Sequence, residues 1–390
     1  MNNGIKGFPS LSNAIADESV TGTKLATSAA DGVSLEVASG SMRVKDAGIT
    51  AAKLAAAVAG DGLAGGAGTA LSVSVDNSTV EISGDALRVK DAGITATKLA
   101  GAAITHVAEG RLTLVTQTPV ADSASSGTIY YASFTGNHIA LYSGTTAGSG
   151  RWELLTIGSE ISITPGATLT SARNYDVYAY NNAGTATLEL KIWDSGGDSQ
   201  TRVTNTHNRQ DGVLVLNSDY KRRFLGTIRT ISTSATQDNE VKRFVRNYYN
   251  RVPRTLVKTD TTNSWTYALD NTLYQANNST ANQVEIVQCV AEDLIELVVK
   301  SLAVNATTNV NVMSGVGVDS STVNSAQVYG GGLNTTSPVT NFIGRYIAVP
   351  TLGYHYYAWL EGSSTALNTT FVGDNGTVLY QSGMTGVTLG

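Results

Sequence analysis

A ten-residue pattern recurs three times within the first hundred residues of this chain. It reads DESVTGTKLA at 17–26, DAGITAAKLA at 46–55 and DAGITATKLA at 91–100. Internal repetition is typical of stacked or extended architectures, in which one small unit is used several times. The pattern therefore predicts a series of similar small units before it predicts a globular enzyme.

Each copy predicts a strand, a turn and a short helix. Apolar and polar residues alternate at 42–45, as in a half-buried strand, and 46–48 has turn composition. Thr50 stands where a helix N-cap is expected. Ile49 before it and Leu54 after it have the spacing of a hydrophobic staple. The predicted helices are short because Gly and Ser follow soon after each copy.

The second and third copies belong to a longer repeated unit. Asp31 precedes Asp46 by the same 15 residues that separate Asp76 from Asp91. A flexible Gly/Ser linker would not preserve apolar and capping residues at matching positions. We therefore expect both units to fold alike.

The first third of the chain has little apolar bulk. Residues 1–129 contain one aromatic residue, Phe8, and Ala, Gly, Ser and Thr dominate. Such a segment has little apolar surface to offset the cost of ordering its backbone. We therefore expect three copies of the chain to pack about an axis and to bury apolar residues between them. The predicted trimer-packing residues are Ile49, Leu54, Ile94 and Leu99.

Composition indicates a β-rich protein of several domains. The chain has 390 residues, and only 15% are charged, against about 25% in typical soluble domains. Its single cysteine, Cys289, permits no intrachain disulfide. The sequence has no long apolar run and does not begin with the order of a signal peptide, so we expect no membrane insertion.

Basic residues concentrate at 220–258, where ten Lys and Arg stand against two acidic residues in a chain of net charge −5. We expect a solvated basic helix face with salt bridges to neighbouring chains. Docking onto an acidic partner or an anionic glycan is the alternative. The segment carries no nucleic-acid-binding signature, so we expect no nucleic-acid partner.

Most of the remaining chain reads as β. Short candidate strands separated by Gly, Asn and Asp fill 111–206, with a hairpin turn expected at 181–184. A helix is predicted over 238–250, with Asp238 as its N-cap and apolar residues at helical spacing. Beyond it, the strands at 259–390 predict a jelly-roll-like sandwich.

The sequence contains no recognised catalytic or metal-binding motif. It has no nucleophile elbow, P-loop or EF-hand loop, and its four histidines lie far apart. We expect no enzymatic activity, no cofactor and no metal. A glycosidase would need two carboxylates about 5–9 Å apart, a separation that the sequence does not report.

An aromatic run at 354–359 is the candidate receptor-binding feature. Aromatic rings with polar tips stack on sugars and anchor interfaces. The named residues are Tyr354, Tyr356, Tyr357 and Trp359. Because strand residues alternate between faces, at least one face of this run is expected to be core, and a core-plus-interface role is the alternative.

Two stretches resemble fibre proteins of tailed bacteriophages. The first contains GDGLAGGAG at 60–68 and LRVKDAGIT at 87–95, and it is similar to the N-terminal repeats of phage tail and head fibres. The second, with FLGTIRT at 224–230, KRFVRNYYNRVPR at 242–254 and QANNSTANQ at 275–283, is similar to a module of phage virion proteins. The resemblance implies a homotrimeric structural protein with adhesion or decoration roles.

Together these observations predict a mostly β, elongated trimeric fibre located on the virion. A virion-attachment arm (1–28) precedes a repeat-containing shaft (29–110), a central β-sandwich or barrel with the packed helix (111–258) and a distal sandwich (259–390). Phe8, Val20 and Leu25 are the predicted attachment residues, which would contact a capsid, collar or tail protein. The distal domain would bind a host surface glycan or protein. The alternative is a head or neck fibre, or a capsid decoration protein with a structural or weak-adhesion role.

Overall fold

The chain divides into two compact units, Met1–Thr95 and Ala96–Gly390. A computed structural model provides the coordinates. It describes residues 28, 30–39, 41–58, 61–94, 104–194, 201–267, 271–305, 310–325, 327, 330–334, 339–364, 368–374, 376 and 380–390. Within these residues, no helix has the length and apolar character needed to cross a bilayer.

Three β-hairpins make up the strands described in the first unit. Within each hairpin, the two strands pair with each other in antiparallel sense. Two 3₁₀ turns, Ala51–Lys53 and Ala56–Val58, lie between the first and second hairpins. The strands are β1 Leu35–Ala38, β2 Ser41–Val44, β3 Leu63–Gly66, β4 Thr69–Val73, β5 Val80–Ser83 and β6 Ala86–Val89.

The first and third hairpins repeat the same contacts. In the first, Asp31 Oδ1 accepts from the backbone N–H groups of Val33, Ser34 and Leu35 at 2.9, 2.5 and 2.8 Å. In the third, Asp76 Oδ1 accepts from the N–H groups of residues 78, 79 and 80 at 3.0, 2.7 and 3.0 Å. These backbone donors lower the pKa of both carboxyls. The predicted similarity of the two units is therefore present at the level of single hydrogen bonds.

One glycine in each repeat is required by close backbone packing. A Cβ on Gly48 would lie 2.6 Å from the Ser34 carbonyl oxygen, and a Cβ on Gly93 would lie 2.7 Å from the Thr79 carbonyl oxygen. Such approaches leave no room for a side chain. The helix predicted after Thr50 is one 3₁₀ turn, and the Thr50 side chain makes no cap hydrogen bond. The copy at 17–26 and residues 95–100 of the third copy lie outside the described residues.

The second unit contains the other strands. Its first half carries β7 Gly110–Thr113, β8 Ser123–Ser126, β9 Ile129–Ser133, β10 His138–Tyr142, β11 Trp152–Thr156, β12 Glu160–Ile163, β13 Asn174–Asn182, β14 Thr185–Ile192, β15 His207–Gln210, β16 Val213–Leu216, β17 Asp219–Arg229, β18 Thr236–Asp238, β19 Lys242–Arg243 and β20 Val245–Asn247. Its second half carries β21 Pro253–Thr259, β22 Ser264–Tyr267, β23 Thr272–Gln275, β24 Gln283–Gln288, β25 Ile295–Asn305, β26 Val310–Val318, β27 Gly330–Asn334, β28 Thr340–Ala348, β29 Gly353–Ser363, β30 Thr369–Val372 and β31 Gly383–Leu389. Two further 3₁₀ turns are Gly166–Thr168 and Ala276–Asn278.

The first core of this unit lies between short sheets. One sheet has the order β14-β13-β17-β16-β15 with β20 paired to β17, and it faces the sheet β12-β9-β7 and the ribbon β10-β11. Leu112, Ile129 and Ile139 from one side meet Val177 and Leu225 from the other. The hairpin predicted at 181–184 joins β13 to β14 and is confirmed.

The second core lies between two larger sheets. One sheet has the order β27-β26-β29-β24-β19-β18-β8 with β23 paired to β29; the other has the order β21-β31-β25-β30-β22 with β28 paired to β25. Val284, Ile286 and Trp359 from the first sheet pack with Leu297 and Met384 from the second. The four predicted domains stay predictions, but this first sheet draws strands from both sides of residue 258.

The mostly β fold class is confirmed, but the helix predicted at 238–250 is wrong. These residues form the end of β18, then β19 and β20, which pairs antiparallel with β17. The predicted N-cap, Asp238, is buried and pairs with Arg254 at 2.9 Å. The helical pattern was misleading because it treated Arg243 and Arg246 as residues of a solvent-exposed face. Both are buried among strands, and tertiary pairing overrides local propensity.

The prediction of a solvated basic face at 220–258 is also wrong for four of its seven arginines. Arg223, Arg243, Arg246 and Arg254 are all buried. Arg243 and Arg254 contact Asp122 at 2.6 and 2.7 Å. A buried charge is costly unless it is hydrogen-bonded or paired, and these guanidinium groups lie inside the protein, where they contact such partners. They tie the segment to strands on both sides of it.

Removing a buried carboxylate of this network should destabilise the second unit. Arg246 donates to Asp293 at 3.2 Å and is almost fully buried, and burial lowers its pKa. We expect Asp293→Ala to cost about 3–5 kcal/mol in free energy of unfolding, because it strips a buried guanidinium of its carboxylate. Glu296→Ala is the control, since Glu296 pairs with Arg345 on the exposed surface at 2.6 Å; it should cost less than about 1 kcal/mol. Equal costs in urea unfolding would contradict this account.

Candidate functional site

Two hairpins of the first unit each present one apolar face. In the first hairpin, Leu35 lies opposite Val44 and Val37 opposite Met42. In a strand, residues two apart share a face, so these four side chains lie together. The third hairpin repeats the arrangement. We call the two sets the apolar faces; they consist of Leu35, Val37, Met42 and Val44, and of Val80, Ile82, Leu87 and Val89.

The opposite face of each hairpin is charged. Glu36 lies across from Arg43, and the two side chains form an ion pair at 2.7 Å. Glu81 and Arg88 repeat that pair at the same distance. Each hairpin is thus amphipathic, with an alternation typical of a sheet that packs on one side.

The apolar faces are largely exposed in the single chain. Val44 is 52% exposed, Leu87 57% and Val89 56%. Exposed apolar side chains that form a contiguous set mark interaction surfaces in soluble proteins. Met42 and its counterpart Leu87 are both exposed, as are Val44 and its counterpart Val89, so two of the four positions are exposed in both repeats.

The predicted trimer-packing residues lie next to these faces in sequence. Ile49 and Ile94 are 53% and 47% exposed, whereas Leu54 is half-buried. Leu99 and the predicted attachment residues Phe8, Val20 and Leu25 lie outside the described residues. The predicted trimer-packing residues did not include Met42 and Leu87, which lie on the apolar faces. Aligning the two long repeats position by position would have found both, since they occupy the same place in each.

The aromatic run divides between the two faces of β29. Tyr357 and Trp359 are fully buried in the second core, and Trp359 Nε1 donates to Ser301 Oγ at 2.8 Å. A partner cannot reach them in the folded chain, so their prediction as receptor-binding residues is wrong. The two residues share one face of the strand, and that face is core, which agrees with the expectation that at least one face would be.

Tyr354 and Tyr356 lie on the other face of β29 and are half-buried. The Tyr354 hydroxyl donates to Glu285 Oε2 at 2.8 Å, and the Arg229 guanidinium lies 3.8 Å from the centre of its ring. Burial raises the pKa of Tyr354. These contacts hold the ring against the protein, and a receptor-binding role for the two tyrosines stays a prediction.

A buried acid lies further along the same strand. Glu361 is fully buried, and its Oε1 accepts from Trp265 Nε1 and from the Asn277 backbone N–H at 3.3 Å. Its Oε2 has no hydrogen-bond partner among the described residues. Burial raises the pKa of Glu361 to about 8, so the group is mostly protonated at neutral pH. Among the described residues, no three His, Cys, Asp or Glu side chains lie close enough to hold a metal ion.

Comparison with known proteins gives no family. No family model matches the chain, and no curated protein matches it. A solved structure of infectious bursal disease virus VP2 subviral particle is similar at TM-score 0.23 and 10% identity, over 71% of this chain and 75% of that one. The insecticidal delta-endotoxin Cry8Ea1 from Bacillus thuringiensis is similar at TM-score 0.21 and 7% identity. That match covers 65% of this chain and 52% of the toxin chain. These scores are too low to carry an argument about fold or function.

Glu361 should make stability depend on pH. In the folded chain, the carboxyl of Glu361 binds a proton more tightly than an ordinary glutamate, whose pKa is 4.5. The stabilisation is therefore complete below pH 4.5 and is lost as the pH rises through about 8. We expect the free energy of unfolding to fall between about pH 5 and about pH 9, and to fall less in Glu361→Gln, which mimics the protonated acid. Parallel pH profiles for the two proteins would show that Glu361 titrates normally.

Proposed function

We propose that this chain is a structural fibre protein of a bacteriophage virion, assembled as a homotrimer. In this proposal the N-terminal arm, residues 1–28, binds a capsid, collar or tail protein. The repeats form a shaft in which three chains cover each other's apolar faces. The second unit, with its packed β-sheets, is presented to the host surface.

The apolar faces carry this proposal. A lone two-stranded hairpin is marginal in water and gains stability when a face packs against another element. The first unit repeats such a hairpin with the same four apolar positions, of which Val44, Leu87 and Val89 are more than half exposed. Identical chains arranged about an axis offer each face a matching surface, as symmetry in homo-oligomers requires.

The number of chains and the virion setting rest on the sequence resemblance. The repeats at 60–68 and 87–95 resemble the N-terminal repeats of phage tail and head fibres, which implies a trimer. The ion pairs Glu36–Arg43 and Glu81–Arg88, at 2.7 Å, then form the outer surface of the shaft. Such exposed pairs contribute little stability and keep that surface soluble.

Immunogold electron microscopy of virions tests the assignment. Antibodies raised against the purified full-length chain should label appendages of intact particles. Label at the tail supports the attachment fibre, and label at the head or neck supports the head or neck fibre alternative. If the particles carry no label and the chain is absent from their protein composition, the proposal is wrong.

A further inference from the structure

One sheet of the second unit carries apolar side chains on the side that points away from its core. In that sheet, four antiparallel strands lie side by side in the order β28-β25-β31-β21. Alternate residues of each strand point into the second core, and the residues between them point the other way. We call the second side the outer face. Its apolar members are Val257, Val298, Ile343, Ile347 and Val387.

The strand register brings these five residues together. Val298 lies between Arg345 and Thr385, so Ile343 and Ile347 are its diagonal neighbours on β28. On β31 its diagonal neighbour is Val387, which lies diagonally opposite Val257 of β21. Side chains at diagonal positions of one sheet face are within reach of each other, so the outer face is contiguous.

The outer face is open to solvent in the single chain. Ile343 is 52% exposed, and Ile347 and Val387 are each 39% exposed. Two further exposed apolar residues adjoin it, Leu294 directly before β25 and Val349 directly after β28. An antiparallel sheet that leaves one side in water carries polar residues on that side. Because this side carries apolar ones, it is built to be covered.

The charged residues of the outer face select no acidic or basic partner. Arg345 and Glu296 pair with each other at 2.6 Å, and Arg345, on the outermost strand β28, is 55% exposed. The pair offsets its own charges and lies where the polar rim of an interface is expected. Lys300 adds one exposed positive charge. A polyanion would need a cluster of basic groups, which this face does not offer.

The size of the outer face indicates how its partner is held. Strands lie about 4.8 Å apart and rise about 3.4 Å per residue, so four strands over about seven residues cover on the order of 500 Å². Specific interfaces between free proteins bury about 800 Å² on each partner. A smaller face is covered stably when its partner is held at high local concentration. A second copy of this chain, joined through the first unit, is held in that way.

We propose that the outer face of each chain is covered by a second copy of the chain in the assembled protein. The inference rests on the proposed homotrimer, and it adds an interface in the second unit to the one formed by the apolar faces. Because the outer face is small, this interface depends on assembly through the first unit and does not replace it.

Thiol labelling of the full chain tests this interface. The natural Cys289 is fully buried, and burial raises the pKa of its thiol to about 11, so it reacts slowly. Val387→Cys places one reactive thiol on the outer face, and Val203→Cys places one at a control position that is 60% exposed. We expect a PEG-maleimide to modify the assembled Val387→Cys protein roughly tenfold more slowly than the same protein with Val44→Lys and Val89→Lys, which separate the chains. The Val203→Cys protein should react equally fast in both states.

Two results would overturn the inference. Rapid labelling of Val387→Cys in both the assembled and the separated chains would show that no copy covers the outer face. Slow labelling in both would show that the chain covers this face itself. The mass of the same samples distinguishes the two proposals: a trimer with a rapidly labelled outer face leaves the homotrimer standing, whereas a full-length protein with the mass of one chain overturns both.

Discussion

The apolar faces of the first and third hairpins are the main physical constraint on how the first unit can be stable. In each of these two hairpins, polar contacts hold the strands together. They are a capping aspartate, a cross-strand ion pair and a lysine that donates to a carbonyl oxygen, as Lys45 does to Gly32 at 2.9 Å. None of these contacts covers the four apolar side chains on the other face. Since burial of apolar surface is the main driving force of folding and association, these faces define what the first unit needs from its surroundings.

The second unit meets the same need internally. Its two cores place apolar side chains from facing sheets against each other, and buried arginines connect strands that are distant in sequence. Arg223 Nη1 donates to the carbonyl oxygens of Thr105, Val107 and Ala140, at 2.9, 3.0 and 2.8 Å. These carbonyl oxygens constrain the geometry of the three segments, because without them the buried guanidinium would be an uncompensated charge. The cores of the second unit are thus covered within one chain, whereas the apolar faces of the first unit are not.

Local pattern predicted much of this fold. The repeats, most strands and the turn between β13 and β14 followed from periodicity and turn composition, which are local properties. The segment at 238–250 did not, because its helical spacing depended on treating Arg243 and Arg246 as solvent-facing. Their burial is decided by Asp122 and Asp293, which lie far away in sequence.

The sites show the same limit. The sequence directed attention to the aromatic run, whose alternation correctly separated two faces but did not say which was core.

Sedimentation velocity and light scattering on the full-length chain test whether three chains assemble through the apolar faces. We expect a mass three times the chain mass of 40.6 kDa. A variant with Val44→Lys and Val89→Lys, one charge on each apolar face, should dissociate. Arg43→Gln with Arg88→Gln, on the opposite faces, should keep the wild-type mass. A full-length protein that has the mass of one chain, or an apolar-face variant that stays fully assembled, would contradict the account.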